Sequence, residues 1–118
     1  MYVDGYVLAV PQANLAAYRK MARKAGKIWK EHGALEYMET VEDDVQPGKL
    51  TSFPQAVKRK AGELVVFSWI IYESKAQRSR INKLVMKDPR LAEMADPKNL
   101  PFDAKRMFWG GFKPIVTL

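Results

Sequence analysis

His32 is the chain's one histidine. On a helical wheel of about 100° per residue it falls near the middle of an apolar stripe formed by Leu15, Tyr18, Met21, Ala22, Ala25, Ile28 and Trp29. An inward imidazole can serve as a general base or an axial haem ligand, because it titrates near neutrality and binds iron through a free ring nitrogen. A helix-terminal histidine bonded to a backbone carbonyl would occupy the same place. Asp4 stands in a segment of β-branched and aromatic residues, where aspartate is depleted, on one face with Tyr2, Tyr6 and Leu8. A buried carboxylate must be paired or neutralised, and Arg106, Arg19 or His32 is the partner expected for it. An Asp4–His32 pair would be acid/base machinery, and a structural ion pair near a sheet end would look the same.

The candidate lining of a ligand site is Tyr6, Trp29, Phe53, Trp69 and Phe108, with Trp109 nearby and Arg106 as its charged member. Aromatic walls with few polar groups are what small-molecule sites show, although aromatics at inward spacing also build ordinary cores. Phe53 stands apart, beside Pro54 in a long connection, where it could act as a lid. Other chemistries fail on inventory. There is no cysteine, no G-x-G-x-x-G, no Walker loop and no G-x-S-x-G elbow. One histidine without cysteine argues against zinc, and Glu42, Asp43 and Asp44 lack the spacing of a calcium loop, so no metal and no bound cofactor is expected.

The elements that must position these residues follow from periodicity. Tyr2 to Val10 reads as a strand stopped by Pro11, and Ala13 to His32 reads as an amphipathic helix ended by Gly33. Leu35 to Val41 alternates, with Leu35, Tyr37, Glu39 and Val41 on one face. Glu42 to Glu63 is a long connection with a short helical turn after Ser52, and connections of that length are often functional. Leu64 to Tyr72 is the strongest strand. Ser74 caps a helix to about Lys87, with Ile81, Leu84 and Val85 inward, and a short helix is expected over Arg90 to Ala95. Met107 to Leu118 closes the chain as a strand bent or bulged near Gly110 and Gly111 and interrupted by Pro114.

The order β-α-β-β-α-β predicts an α+β, ferredoxin-like antiparallel sheet with two helices on one face. The third strand is apolar on both sides, Leu64, Val66, Ile70 and Tyr72 against Val65, Phe67, Trp69 and Ile71. A sheet wetted on one face alternates, so the second face needs a cover, and a second copy of the chain supplies it. The expected partner is therefore a homodimer mate, joined through the open sheet face.

The length of 118 residues suits one domain, 1–118, and 47% hydrophobic against 28% charged residues is the balance of a folded chain. No apolar run is long enough to span a bilayer and no secretion signal opens the chain, which points to the cytoplasm. The net charge of +7 raises the question of nucleic acid. The basic residues of the first helix, Arg19, Lys20, Arg23, Lys24, Lys27 and Lys30, form the ordinary solvent face of an amphipathic helix without interleaved aromatics. The sheet also lacks the exposed aromatic signature of RNA-recognition modules, and both observations argue against nucleic-acid binding.

The segments MYVDGYVLAVP, AYRKMARKAGKIWKEHGALEY, GKLTSFPQAVK, VVFSWIIY, DPRLAEM and PFDAKRMFWGGF run nearly end to end. Together they resemble the YbaA-like bacterial proteins of unknown function. That resemblance implies the dimeric α/β-barrel superfamily, which houses cofactor-free monooxygenases, haem-binding enzymes, isomerases and many proteins without a known activity. It strengthens the fold and leaves function open. Two functions are carried forward: a homodimer that binds, or transforms without a bound cofactor, a small apolar or aromatic molecule, and a non-catalytic structural or partner-binding dimer.

Overall fold

A computed structural model describes residues 1–118. β1 (Tyr2–Pro11) is followed by one 3-10 turn and then α1 (Leu15–Glu31), β2 (Glu36–Val41), α2 (Phe53–Ala56), β3 (Glu63–Tyr72), α3 (Lys75–Met86), α4 (Pro89–Met94) and β4 (Phe108–Phe112). The four strands form one antiparallel sheet in the order β2-β3-β1-β4. With α1 and α3 packed on one side, this is the ferredoxin-like layout. No helix is long and apolar enough to cross a membrane.

Local chemistry sets the boundaries. Gly33, at φ 119°, takes the left-handed conformation that lets Ala34 N–H reach back to Trp29 O at 3.0 Å and end α1. Ser52 and Ser74 cap α2 and α3 by accepting from Gln55 N–H and Gln77 N–H, and Asp88 caps α4 ahead of Pro89. β4 is shorter than expected, and Lys113 to Leu118 lie outside the sheet with Ile115 and Val116 exposed. Pro114 has no N–H to donate, so the ladder cannot continue through it. Leu84, expected inward, is exposed, and Ile81 and Val85 carry the buried side of α3.

Two clusters fill the space between helices and sheet. Ile28 and Ala34 meet Ile70, Tyr72, Ile81 and Val85 at one end, and Tyr18 and Ala22 meet Leu8, Val10 and Val66 at the other. Each fully buried aliphatic side chain here contributes roughly 1.5–3 kcal/mol. A third cluster lies on the opposite sheet face, where Val57 covers Val7, Ala9 and Val65. The connection between β2 and β3 thus folds across part of the face that the sequence leaves open. Arg59 bonds Glu42 at 2.7 Å, and Arg106 bonds both the Lys58 carbonyl and Glu63, fastening the crossing segment. The chain therefore has an element to spare for that face, but only for one end of it. Met38, Phe67, Phe108 and Phe112 remain exposed on the rest.

Candidate functional site

β1, β2 and β3 each turn alternate side chains toward the helices, and their register aligns Glu39, Ser68, Tyr6 and Trp109 in one row across that face. The next row holds Tyr37, Ile70, Asp4 and Gly111. Above these rows lies a cavity of about 330 Å³, roofed by α1 and closed on its far side by residues from Met86 to Met107. Of its 20 lining residues, 18 are hydrophobic, and the polar exceptions are Glu39 and Ser68. A concave apolar chamber with one or two convergent polar groups is the usual form of a small-molecule site.

Glu39 is the polar focus. Its Oε1 accepts from the Tyr18 hydroxyl and its Oε2 from the Tyr37 hydroxyl, both at 2.7 Å. Burial, reinforced by the Glu39 carboxylate, pushes both phenols far above their ordinary range, so they remain donors throughout the physiological range. Tyr6 is raised by burial and by Asp4. Tyr37 is also held from behind. Gly26 of α1 sits so close to its ring that an added Cβ would lie 2.6 Å from Cδ1. Trp29 flanks Tyr37 at 6.1 Å between ring centroids and donates its indole N–H to Asn82 Oδ1 at 3.1 Å.

Asp4 is fully buried, and its partner is Arg78 of α3, not the expected Arg106, Arg19 or His32. Arg78 Nε lies 3.1 and 3.0 Å from the two carboxylate oxygens and Nη2 lies 2.9 Å from Oδ1. The fork matches the carboxylate as a bidentate pair. Its guanidinium also stands over the rings of Tyr2 and Trp109, at 5.3 and 5.6 Å. Those hydrogen bonds raise the Arg78 pKa, so the guanidinium stays charged.

His32 lies apart from Asp4. Its Nε2 is 3.2 Å from Asp88 Oδ2, in a surface cluster with Arg90 and Glu31. The α1 stripe does point His32 toward the body of the protein, but at the helix end the nearest polar group is the cap of α4 rather than the sheet. Arg90 and His32 hold Asp88 well below the usual carboxylate range.

Among the aromatic candidates, Tyr6 and Trp29 line the cavity. Trp69 reaches it by backbone alone, since its ring packs with Phe67 on the other sheet face at 5.6 Å. Phe53 meets Phe67 edge-on at 5.9 Å on that same face, so it covers the sheet and is no lid for the cavity. Phe108 lies exposed there too. Arg106 is engaged with Glu63, Asp103 and the Lys58 carbonyl, away from the cavity lining. Sequence reasoning passed over Glu39, Tyr18, Tyr37, Ser68 and Arg78. The available signal was an acidic residue sharing an inward strand face with Tyr37, opposite a helix stripe carrying Tyr18.

A family model described as "Protein of unknown function (DUF1428)" matches residues 1–104. The uncharacterized protein YbaA of Escherichia coli K12 is 50% identical over 115 residues, which cover 98% of this chain and 97% of YbaA; the YbaA of Shigella flexneri matches equally. Among solved structures, an uncharacterized NIPSNAP domain protein from Burkholderia xenovorans aligns with a TM-score of 0.62 at 13% identity, covering 100% of this chain and 98% of that one. A NIPSNAP family protein of unknown function from Agrobacterium tumefaciens aligns at 0.56 with 17% identity, covering 97% and 87%. At these identities the likeness to the solved structures concerns the fold alone.

Proposed function

The chain belongs to the DUF1428 family of proteins of unknown function, and on that premise we propose that it binds a small apolar or aromatic molecule in the chamber between its helices and sheet, as a homodimer. The observation that carries the binding reading is the 330 Å³ cavity itself, lined by 18 hydrophobic residues of 20 yet left unfilled by Tyr6, Tyr18, Trp29 and Tyr37. A pure scaffold gains from packing over such a surface, because apolar area left to water forgoes about 25 cal/mol per Å². The chamber has a structured polar end, with Glu39 fixed by two tyrosines, so a ligand would be oriented as well as enclosed.

Titration with Nile red, a neutral apolar dye, tests this reading. We expect one site per chain, with binding lost in Ala25→Leu, which fills the chamber from α1, while the circular dichroism spectrum is kept. A folded wild type that takes up no dye favours the structural dimer instead. The dimer rests on the uncovered end of the other sheet face, where Phe67 is 42% and Phe112 63% exposed. Two such faces fit each other as a closed two-fold pair. Sedimentation at micromolar concentration is expected to give a dimer for the wild type and a folded monomer for Phe67→Glu, and a wild-type monomer would end this part of the proposal.

A further inference from the structure

The inward or half-buried carboxylates Asp4, Glu42, Glu63 and Asp88 are each matched by a cation: Arg78, Arg59, Arg106, and His32 with Arg90. Glu39 has none. No Lys, Arg or His nitrogen forms an ion pair with it, and it is the one charged side chain in the wall of an apolar chamber. Its two tyrosine donors satisfy one lone pair on each oxygen and leave the remaining acceptor positions open, with no cation in contact. A carboxylate at the edge of an apolar space gains from a cation more than from any neutral group.

The walls suit the same guest. Tyr6, Tyr18, Trp29 and Tyr37 line the same chamber as Glu39, and the negative faces of such rings attract ammonium groups. Tyr18 and Tyr37 spend their hydroxyl protons on Glu39, so neither donor is free to receive an anionic ligand. The basic residues near this end, Arg19, Arg23, Lys27 and Lys30, line a groove between α1 and the edge of β2 that Glu39, Tyr18 and Tyr37 also border, and none of them forms an ion pair with Glu39. They are exposed, where water and salt screen them.

Resting on the pocket reading above, we infer that the ligand class is an apolar amine, protonated at neutral pH, whose ammonium group lies against Glu39 and whose hydrocarbon or aromatic body fills the chamber toward Leu91 and Met94. The bond is a charge-assisted N–H···O contact. No covalent step is involved.

Calorimetry with three near-isosteric probes tests this: 2-phenylethylamine, 2-phenylethanol and phenylacetate. The amine is expected to bind roughly ten- to a hundredfold more tightly than the alcohol, the range for a hydrogen bond to a charged group. Phenylacetate is expected to bind more weakly than either. Glu39→Gln should abolish the preference for the amine over the alcohol. An amine no tighter than the alcohol, whether both bind or neither does, overturns the inference. If Nile red still binds in that case, the pocket reading survives; if it does not, both fall. A preference for the amine that persists in a folded Glu39→Gln protein also overturns the assignment to Glu39. Should that variant fail to fold, the wild-type ranking of the three probes still decides.

Discussion

Replacing Arg78 by methionine removes the cation of a carboxylate that has no contact with solvent. Asp4 is 0% exposed, the Arg78 side chain is 17% exposed, and three contacts of 2.9 to 3.1 Å join them. Leaving a buried charge unpaired costs about 3–5 kcal/mol. For a chain of this size each kcal/mol lowers the melting temperature by about 4 °C, so Arg78→Met should melt roughly 12–20 °C below the wild type. Asp4→Asn should cost less, about 2 kcal/mol, because the guanidinium it strands keeps some solvent and two aromatic faces. The double variant removes both charges and should be less damaged than the sum of the singles by about 2–3 kcal/mol. Urea unfolding followed by circular dichroism, at one fixed protein concentration, measures all three. Additive losses, or an Arg78→Met penalty below about 1 kcal/mol, would refute the reasoning that this pair is a buried, mutually dependent unit.

Three further outcomes are expected. Hydrogen bonds from Arg106 lower the Glu63 carboxyl from 4.5 to about 2. Its contribution is therefore complete above pH 4.5 and is lost as the pH falls toward 2, and Glu63→Gln should flatten acid unfolding in that window by on the order of 1 kcal/mol once solvent screening is allowed for. Gly26→Ala places a Cβ 2.6 Å from Tyr37, so a helix-propensity gain of about 1 kcal/mol is outweighed by overpacking of about 1–3 kcal/mol. Thermal melts should show net destabilisation, and a stabilised variant would mean that the Tyr37 ring yields freely. His32→Ala should lose less than about 1 kcal/mol and leave dye binding unchanged, since His32 belongs to the Asp88 cluster and not to the chamber; loss of binding would place it back in the site.

The order of the elements was legible because α1 has a period of 3.6, β2 a period of two, and β1 a run of β-branched and aromatic residues stopped by Pro11. The facing of β3 was not. Its odd and even residues are both apolar, so parity alone cannot say whether Trp69 or Ile70 looks toward the helices. That ambiguity is why Trp69 was placed in the cavity, whereas pairing of Asp4 with Ile70 puts the tryptophan on the other face. The partner of Asp4 was illegible for a different reason. Twenty Lys and Arg residues compete in the sequence, and only the docking of α3 brings Arg78, 74 positions away, to the sheet. Phe53 lies in the long connection by sequence and by structure, but nothing local to it says which face that connection crosses. Glu39 shares a strand face with Tyr37 in the sequence pattern; its significance depends on Tyr18, which reaches it only through the packing of α1.

The chamber's two flanks differ in how they resist deformation. On one side the α1 backbone leans on the Tyr37 ring at Gly26, with no compressible side chain between, so helix and edge strand move as one piece. On the other, Met86, Met94 and Met107, joined by Met21 from α1, offer unbranched thioether arms that re-pack at little cost. Guests of differing girth would thus be accommodated by displacement of the thioether flank alone, while the carboxylate end keeps its geometry. Fixed recognition of one functional group is then compatible with tolerance for the body attached to it.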